Sequence, residues 1–117
     1  MLNSTTEKMM FDLVSGKKTQ DGLAYSLAIG RATCFPGESH YALKIWMFYN
    51  QTFYLVRNFG DEMRYTIFAK RVQEDGNVKF LNPVGAGYVP HEFKTHLELK
   101  FRFPRQSLFM SLFPTQT

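Results

Sequence analysis

Turn-forming clusters punctuate this chain at intervals of roughly 8 to 12 residues, and the stretches between them alternate apolar and polar side chains. That pattern admits short strands and leaves no room for the crossover helices a parallel sheet needs. The clearest period runs through 96–103, where Leu97, Leu99, Phe101 and Phe103 face one way and His96, Glu98, Lys100 and Arg102 the other. Pro104 ends this half-buried strand, Arg105-Gln106 turns, and Leu108, Met110 and Leu112 oppose Phe109 and Phe113 in a last strand.

Earlier segments read the same way. Residues 15–22 form a turn by composition, and 23–34 then place Leu23, Tyr25, Leu27 and Ile29 on one side and Ala24, Ser26, Ala28 and Gly30 on the other. Residues 41–49 put Tyr41, Leu43, Ile45, Met47 and Tyr49 on one face and Lys44, Trp46 and Phe48 on the other. Short turns at Asn50-Gln51 and Gly60-Asp61 lead into strands over 52–59 and 63–73, and Asp75-Gly76 predicts a two-residue hairpin into 78–81. Residues 82–87, with Pro90 beyond, read as one long irregular loop.

The N-terminal stretch has two readings. Ser4 to Glu7 has the spacing of a capping box before Met9, Met10, Leu13 and Val14, which predicts a short helix over 4–14. The alternation of Met9, Phe11 and Leu13 predicts a strand equally well. The fold expected is a single all-β domain over 1–117, with or without that helix: an antiparallel small barrel or sandwich of about six or seven strands. No internal repeat is visible in the sequence.

Twelve Phe, six Tyr and one Trp make 16% of the residues, far more large apolar surface than a disordered chain carries, so the rings must pack. Cys34 is alone, which excludes an intramolecular disulfide and a zinc-finger spacing and fits a reducing, cytoplasmic setting. The beginning of the chain lacks the basic and apolar pattern of a secretory leader. The densest apolar run, 45–49, is far shorter than the roughly 20 residues of a spanning helix. A soluble protein without a membrane partner is the expectation.

Several chemistries fail on spacing. His91-Glu92-Phe93-Lys94-Thr95-His96 has one residue too many for the zinc-binding H-E-x-x-H helix and runs into an extended strand, so no metal is expected. Gly85-Ala86-Gly87 lacks the Gly-Lys-Ser/Thr ending of a phosphate loop, and nothing implies a cofactor. Cys34 and His40 offer a thiol and an imidazole, but nucleophilic catalysis needs them within hydrogen-bond reach beside an oxyanion site. Glu38 and Glu98 obey no spacing rule for paired carboxylates. The expectation is a protein that is not an enzyme.

Fourteen Lys and Arg against ten Asp and Glu leave a net charge of +4, shared evenly by the two halves of the chain. Any basic patch must therefore arise by folding. The predicted outer faces mix cations with rings: Lys44, Trp46 and Phe48 on one strand, Arg64, Phe68 and Lys70 on another, Lys100 and Arg102 on a third. Single-stranded nucleic acid is bound by this combination, with Lys44, Arg64, Lys70, Lys100 and Arg102 on phosphates and Trp46 and Phe68 stacked on bases. The alternative is a small interaction or inhibitor protein, of the kind phages and mobile elements encode, that docks a sheet face or edge on a larger protein. An aromatic edge strand also allows self-association into a homo-oligomer.

Overall fold

The computed structural model describes residues 8–48, 50–60, 64–90, 94–102 and 106–114. Eight strands follow one another: β1 (Met9–Thr19), β2 (Gly22–Cys34), β3 (Tyr41–Ile45), β4 (Thr52–Arg57), β5 (Arg64–Glu74), β6 (Asn77–Tyr88), β7 (His96–Phe101) and β8 (Gln106–Pro114). Each pairs antiparallel with its chain neighbour, and β1 pairs with β8 through Leu13 opposite Met110 and Val14 opposite Phe109. The sheet thus closes on itself and leaves neither end strand exposed as an edge. The ring is uneven, because the β1–β2 and β5–β6 hairpins are about twice as long as β3, β4 and β7 and extend beyond it as two arms.

Inside the ring Leu13, Leu43, Leu55, Ile67, Leu97, Leu99 and Met110 are fully buried around Ala32, with Phe11, Ile45 and Leu108 close to that state. Burying one such side chain contributes about 1.5–3 kcal/mol, so this inward set is the chief stabilising element of the fold. Edge-to-face pairs add to it at the margins: Phe11 against Tyr41 at 5.6 Å between centroids and Phe53 against Phe101 at 5.3 Å.

The strand register repeats within the ring, although the sequence shows no repeat. Gly30, Arg31, Ala32 and Thr33 of β2 pair with Ile45, Lys44, Leu43 and Ala42 of β3. Gly85, Ala86, Gly87 and Tyr88 of β6 pair in the same way with Phe101, Lys100, Leu99 and Glu98 of β7. Ala42 faces Tyr54 in β4 as Glu98 faces Phe109 in β8, and Leu55 faces Ile67 as Met110 faces Leu13. Each arm begins at a β-bulge directly after the equivalent residue, between Leu13 and Val14 and between Ile67 and Phe68. Gly30 and Gly85 occupy the same place in the two halves, where a Cβ would run into the carbonyl oxygen of Lys44 or of Lys100.

Of the two readings of the N-terminal stretch the structure takes the strand, and three other sequence expectations are corrected. Residues 9–14 are strand, not helix, because β1 is stitched between β2 and β8; the capping residues 4–7 lie outside the described residues. Ser15, Gly16, Lys17, Lys18 and Thr19 continue β1, and the turn shrinks to Gln20-Asp21. Residues 82–87 are not a loop but belong to the inner half of β6: Pro83 sits beside the bulge, Asn82 takes φ 62°, and Gly85 and Gly87 permit close approach to β7. The strand expected over 41–49 ends at Ile45, and Trp46, Met47 and Phe48 form a 3-10 turn instead. The hairpin at Asp75-Gly76 forms as expected, with both residues at positive φ. Expectations placed on Tyr49, Asp61, Met63, His91, Glu92, Phe93, Phe103, Pro104 and Arg105 lie outside the described residues.

Candidate functional site

A groove of about 480 Å³ lies on the outer face of β2, β3 and β4, a volume in the range of small-ligand sites. It exists because Thr33, Ala42 and Thr52, all small, stand outward there on three successive strands. One wall is the loop between β2 and β3, with Phe35, Glu38 and His40. The other is the β5–β6 arm, which the bulge after Ile67 turns back over the sheet. Phe80 of that arm packs on His40 at 4.8 Å, Tyr54 at 5.8 Å and Phe68 at 5.9 Å between ring centroids. Arg71, paired across the arm with Phe80, and Tyr54 close the groove on this side, while Lys44 stands at its mouth.

The charges in the groove are loosely tied. Arg71 Nη2 lies 3.8 Å from Glu38 Oε1, longer than a hydrogen bond, and Arg71 Nε is buried without a partner. Glu38 Oε2 is 3.5 Å from His40 Nδ1. Burial lowers the pKa of His40 from its ordinary value, Glu38 opposes that shift and Arg71 reinforces it. Beside them the Cys34 thiol donates to the Glu38 carbonyl oxygen at 3.6 Å, and burial, with the Glu38 carboxylate second, raises its pKa. An activated nucleophile needs the opposite shift. Among the described residues no three His, Cys, Asp or Glu side chains come together as a metal site.

The seven residues expected to share a binding face are divided by the ring. Lys44 belongs to the groove. Trp46 follows it closely but is exposed on the 3-10 turn, so the two do not share a strand face. Phe68 is half-buried against Phe80, and Lys70 is exposed along the arm opposite Leu81. Arg64 and Lys100 lie elsewhere on the wall, both next to Tyr88: Arg64 pairs with it in register, and Lys100 Nζ stands 5.6 Å from its ring centroid. Arg102 is exposed just past β7, where its N–H donates to the Val84 carbonyl at 2.7 Å.

Sequence reasoning passed over Arg71, Tyr54 and Phe35. The only signal for Arg71 was the length of the run before Asp75-Gly76, longer than a small ring requires and therefore able to reach outside it. No protein-family model matches this chain, no curated protein matches it, and no solved structure does.

Proposed function

We propose that the protein works by binding, without catalysis, and that its ligand is single-stranded nucleic acid taken through the outer groove and along the neighbouring turn. The observation that carries this reading is the concurrence of two cations, Lys44 and Arg71, with the rings of Tyr54 and Phe35 in one concavity. Cations follow phosphates while ring faces accept bases of any sequence, each stack contributing about 1–3 kcal/mol. Trp46, exposed on the turn two residues after Lys44, extends the set of rings. Lys70 on the arm and Arg64, Lys100 and Arg102 elsewhere on the ring supply positive potential and steer the strand rather than grip it.

Trp46 is the only tryptophan, so its fluorescence reports the site. Titration with a single-stranded oligonucleotide should quench it at low salt and less so at physiological salt, and Lys44→Ala with Arg71→Ala should flatten the salt slope. Unchanged fluorescence together with no gel shift at low salt would overturn the reading.

A second reading rests on a different observation. Trp46, Met47 and Phe48 are consecutive and 56, 83 and 40% exposed, a compact apolar projection of the kind that anchors protein interfaces. Docking through that turn to a larger protein predicts an association largely insensitive to salt, and Trp46→Ala would abolish it while Arg71→Ala would not.

A further inference from the structure

The repeat in register places a second site opposite the groove, on the outer face of β6, β7 and β8. Position for position, Tyr88 stands where Thr33 does, Glu98 where Ala42 does, Phe109 where Tyr54 does and Lys100 where Lys44 does. Here the space is filled by the protein itself. Phe109 is 2% and Glu98 4% exposed, and Lys18, from the β1–β2 arm, donates to Glu98 Oε1 at 3.1 Å. An arm cation therefore closes on a carboxylate that rises from the middle strand of the face.

In the groove half the arm also brings a cation, Arg71, but the middle strand offers Ala42 in place of a carboxylate. Glu38 reaches Arg71 only from the side, at 3.8 Å, and leaves the guanidinium short of hydrogen bonds. Lys44, whose counterpart Lys100 rests on a ring, has Thr33 nearby in place of that ring. A planar guanidinium and a flexible ammonium around a vacant position over a small side chain match an oxyanion, which each can meet with charge-assisted hydrogen bonds.

We infer that the groove is a small-molecule oxyanion site, in which the phosphate or carboxylate group of a bound ligand takes the place that Glu98 occupies in the other half. The site rests on the same groove as the nucleic-acid reading but does not require a polynucleotide. The ligand's body lies between Phe35 and Tyr54, and the room available is that of one mononucleotide rather than a folded partner.

The test uses the full chain with inorganic phosphate, acetate and uridine 5′-monophosphate as probes, read by backbone-amide NMR shifts at Thr33, Ala42 and Arg71 and by calorimetry. One equivalent should bind, with phosphate or acetate alone marking which anion is preferred and the nucleotide binding more tightly than phosphate. Arg71→Gln should weaken it about tenfold or more. Ala42→Glu should place a carboxylate where Glu98 has its counterpart and abolish binding. Glu98→Ala should open the second site and raise the stoichiometry to two. Absence of shifts at these residues with all three probes, or full affinity in Arg71→Gln, would overturn the proposal; if Ala42→Glu fails to fold, Arg71→Gln decides. A folded Glu98→Ala protein that still binds one equivalent would overturn the equivalence of the two halves on which the proposal stands. Oligonucleotide binding that survives in Ala42→Glu while mononucleotide binding is lost supports the oxyanion site and moves nucleic acid elsewhere. Mononucleotide binding without any oligonucleotide binding supports it and defeats the nucleic-acid reading alone.

Discussion

The two halves of the ring share a register and differ in what their arms do. The β1–β2 arm carries Gly16, Lys17 and Lys18, seals a buried carboxylate with one lysine, and leaves Tyr25 and Leu27 standing 89 and 66% exposed on its far strand. The β5–β6 arm carries Phe68, Arg71 and Phe80, lays Phe80, backed by Phe68, on His40 and Tyr54, and leaves a groove beneath. Ring closure constrains the inward side chains and the glycines at the arm roots, because those positions are shared by neighbouring strands. The outward residues and the arm tips carry no such constraint. One half has filled its outer face with its own side chains, and the other has kept it open.

If the inward register is equivalent in the two halves, equivalent truncations must cost alike. Leu43 and Leu99 occupy matching positions and are both fully buried. Leu43→Ala and Leu99→Ala should each lower stability by about 2–5 kcal/mol, as cavity-forming substitutions do. Urea denaturation checks both, and a loss below about 1 kcal/mol in either would show that one wall of the ring is far more loosely packed than the other. The arm roots come next. Gly30→Ala and Gly85→Ala each thrust a methyl group at backbone, which cannot swing aside as a side chain can, and each should cost about 1–3 kcal/mol. A tolerated substitution at one root, judged by thermal unfolding, would mark that arm as able to shift away from the ring.

How much of this was legible follows the same division between inside and outside. The alternation of Leu97, Leu99 and Phe101 announced β7 and its buried face, and Asp75-Gly76 announced its hairpin, since both depend on local pattern alone. Residues 82–87 misled because Pro and Gly are turn formers in isolation, whereas here Gly85 and Gly87 answer to the proximity of β7, which only the folded ring creates. The alternation of Lys44, Trp46 and Phe48 misled in the opposite sense. Its period continues past Ile45, but the chain bends there into a 3-10 turn and scatters the supposed face. The groove was beyond reach, because it joins Thr33 and His40 to Arg71, more distant in sequence, and they meet only after the ring closes and an arm turns back.

The smallest expected difference between the halves concerns protons. His40 immediately precedes β3 and His96 opens β7, and burial lowers the pKa of both below the ordinary 6.5. A histidine whose folded pKa is depressed binds fewer protons when folded than when unfolded, in the window between its folded value and 6.5. The stability contributed by the neutral ring is therefore fully present above about pH 6.5 and is lost as the pH falls through the window toward the folded value. The two differ in what surrounds them. His40 has Glu38 beside it, which supports the charged form, and Arg71, which opposes it, whereas burial is what lowers His96, which holds its Nδ1 2.9 Å from Thr95 Oγ1. Unfolding free energy measured between pH 7.5 and 5.5 should fall, and His40→Gln and His96→Gln should each flatten the slope. Glu38→Gln should steepen it, because removing that carboxylate takes away what eases protonation of His40 and leaves Arg71 unopposed. A slope that Glu38→Gln leaves unchanged would mean that the carboxylate is turned toward Arg71 alone, and that the groove half handles its histidine no differently from the sealed one.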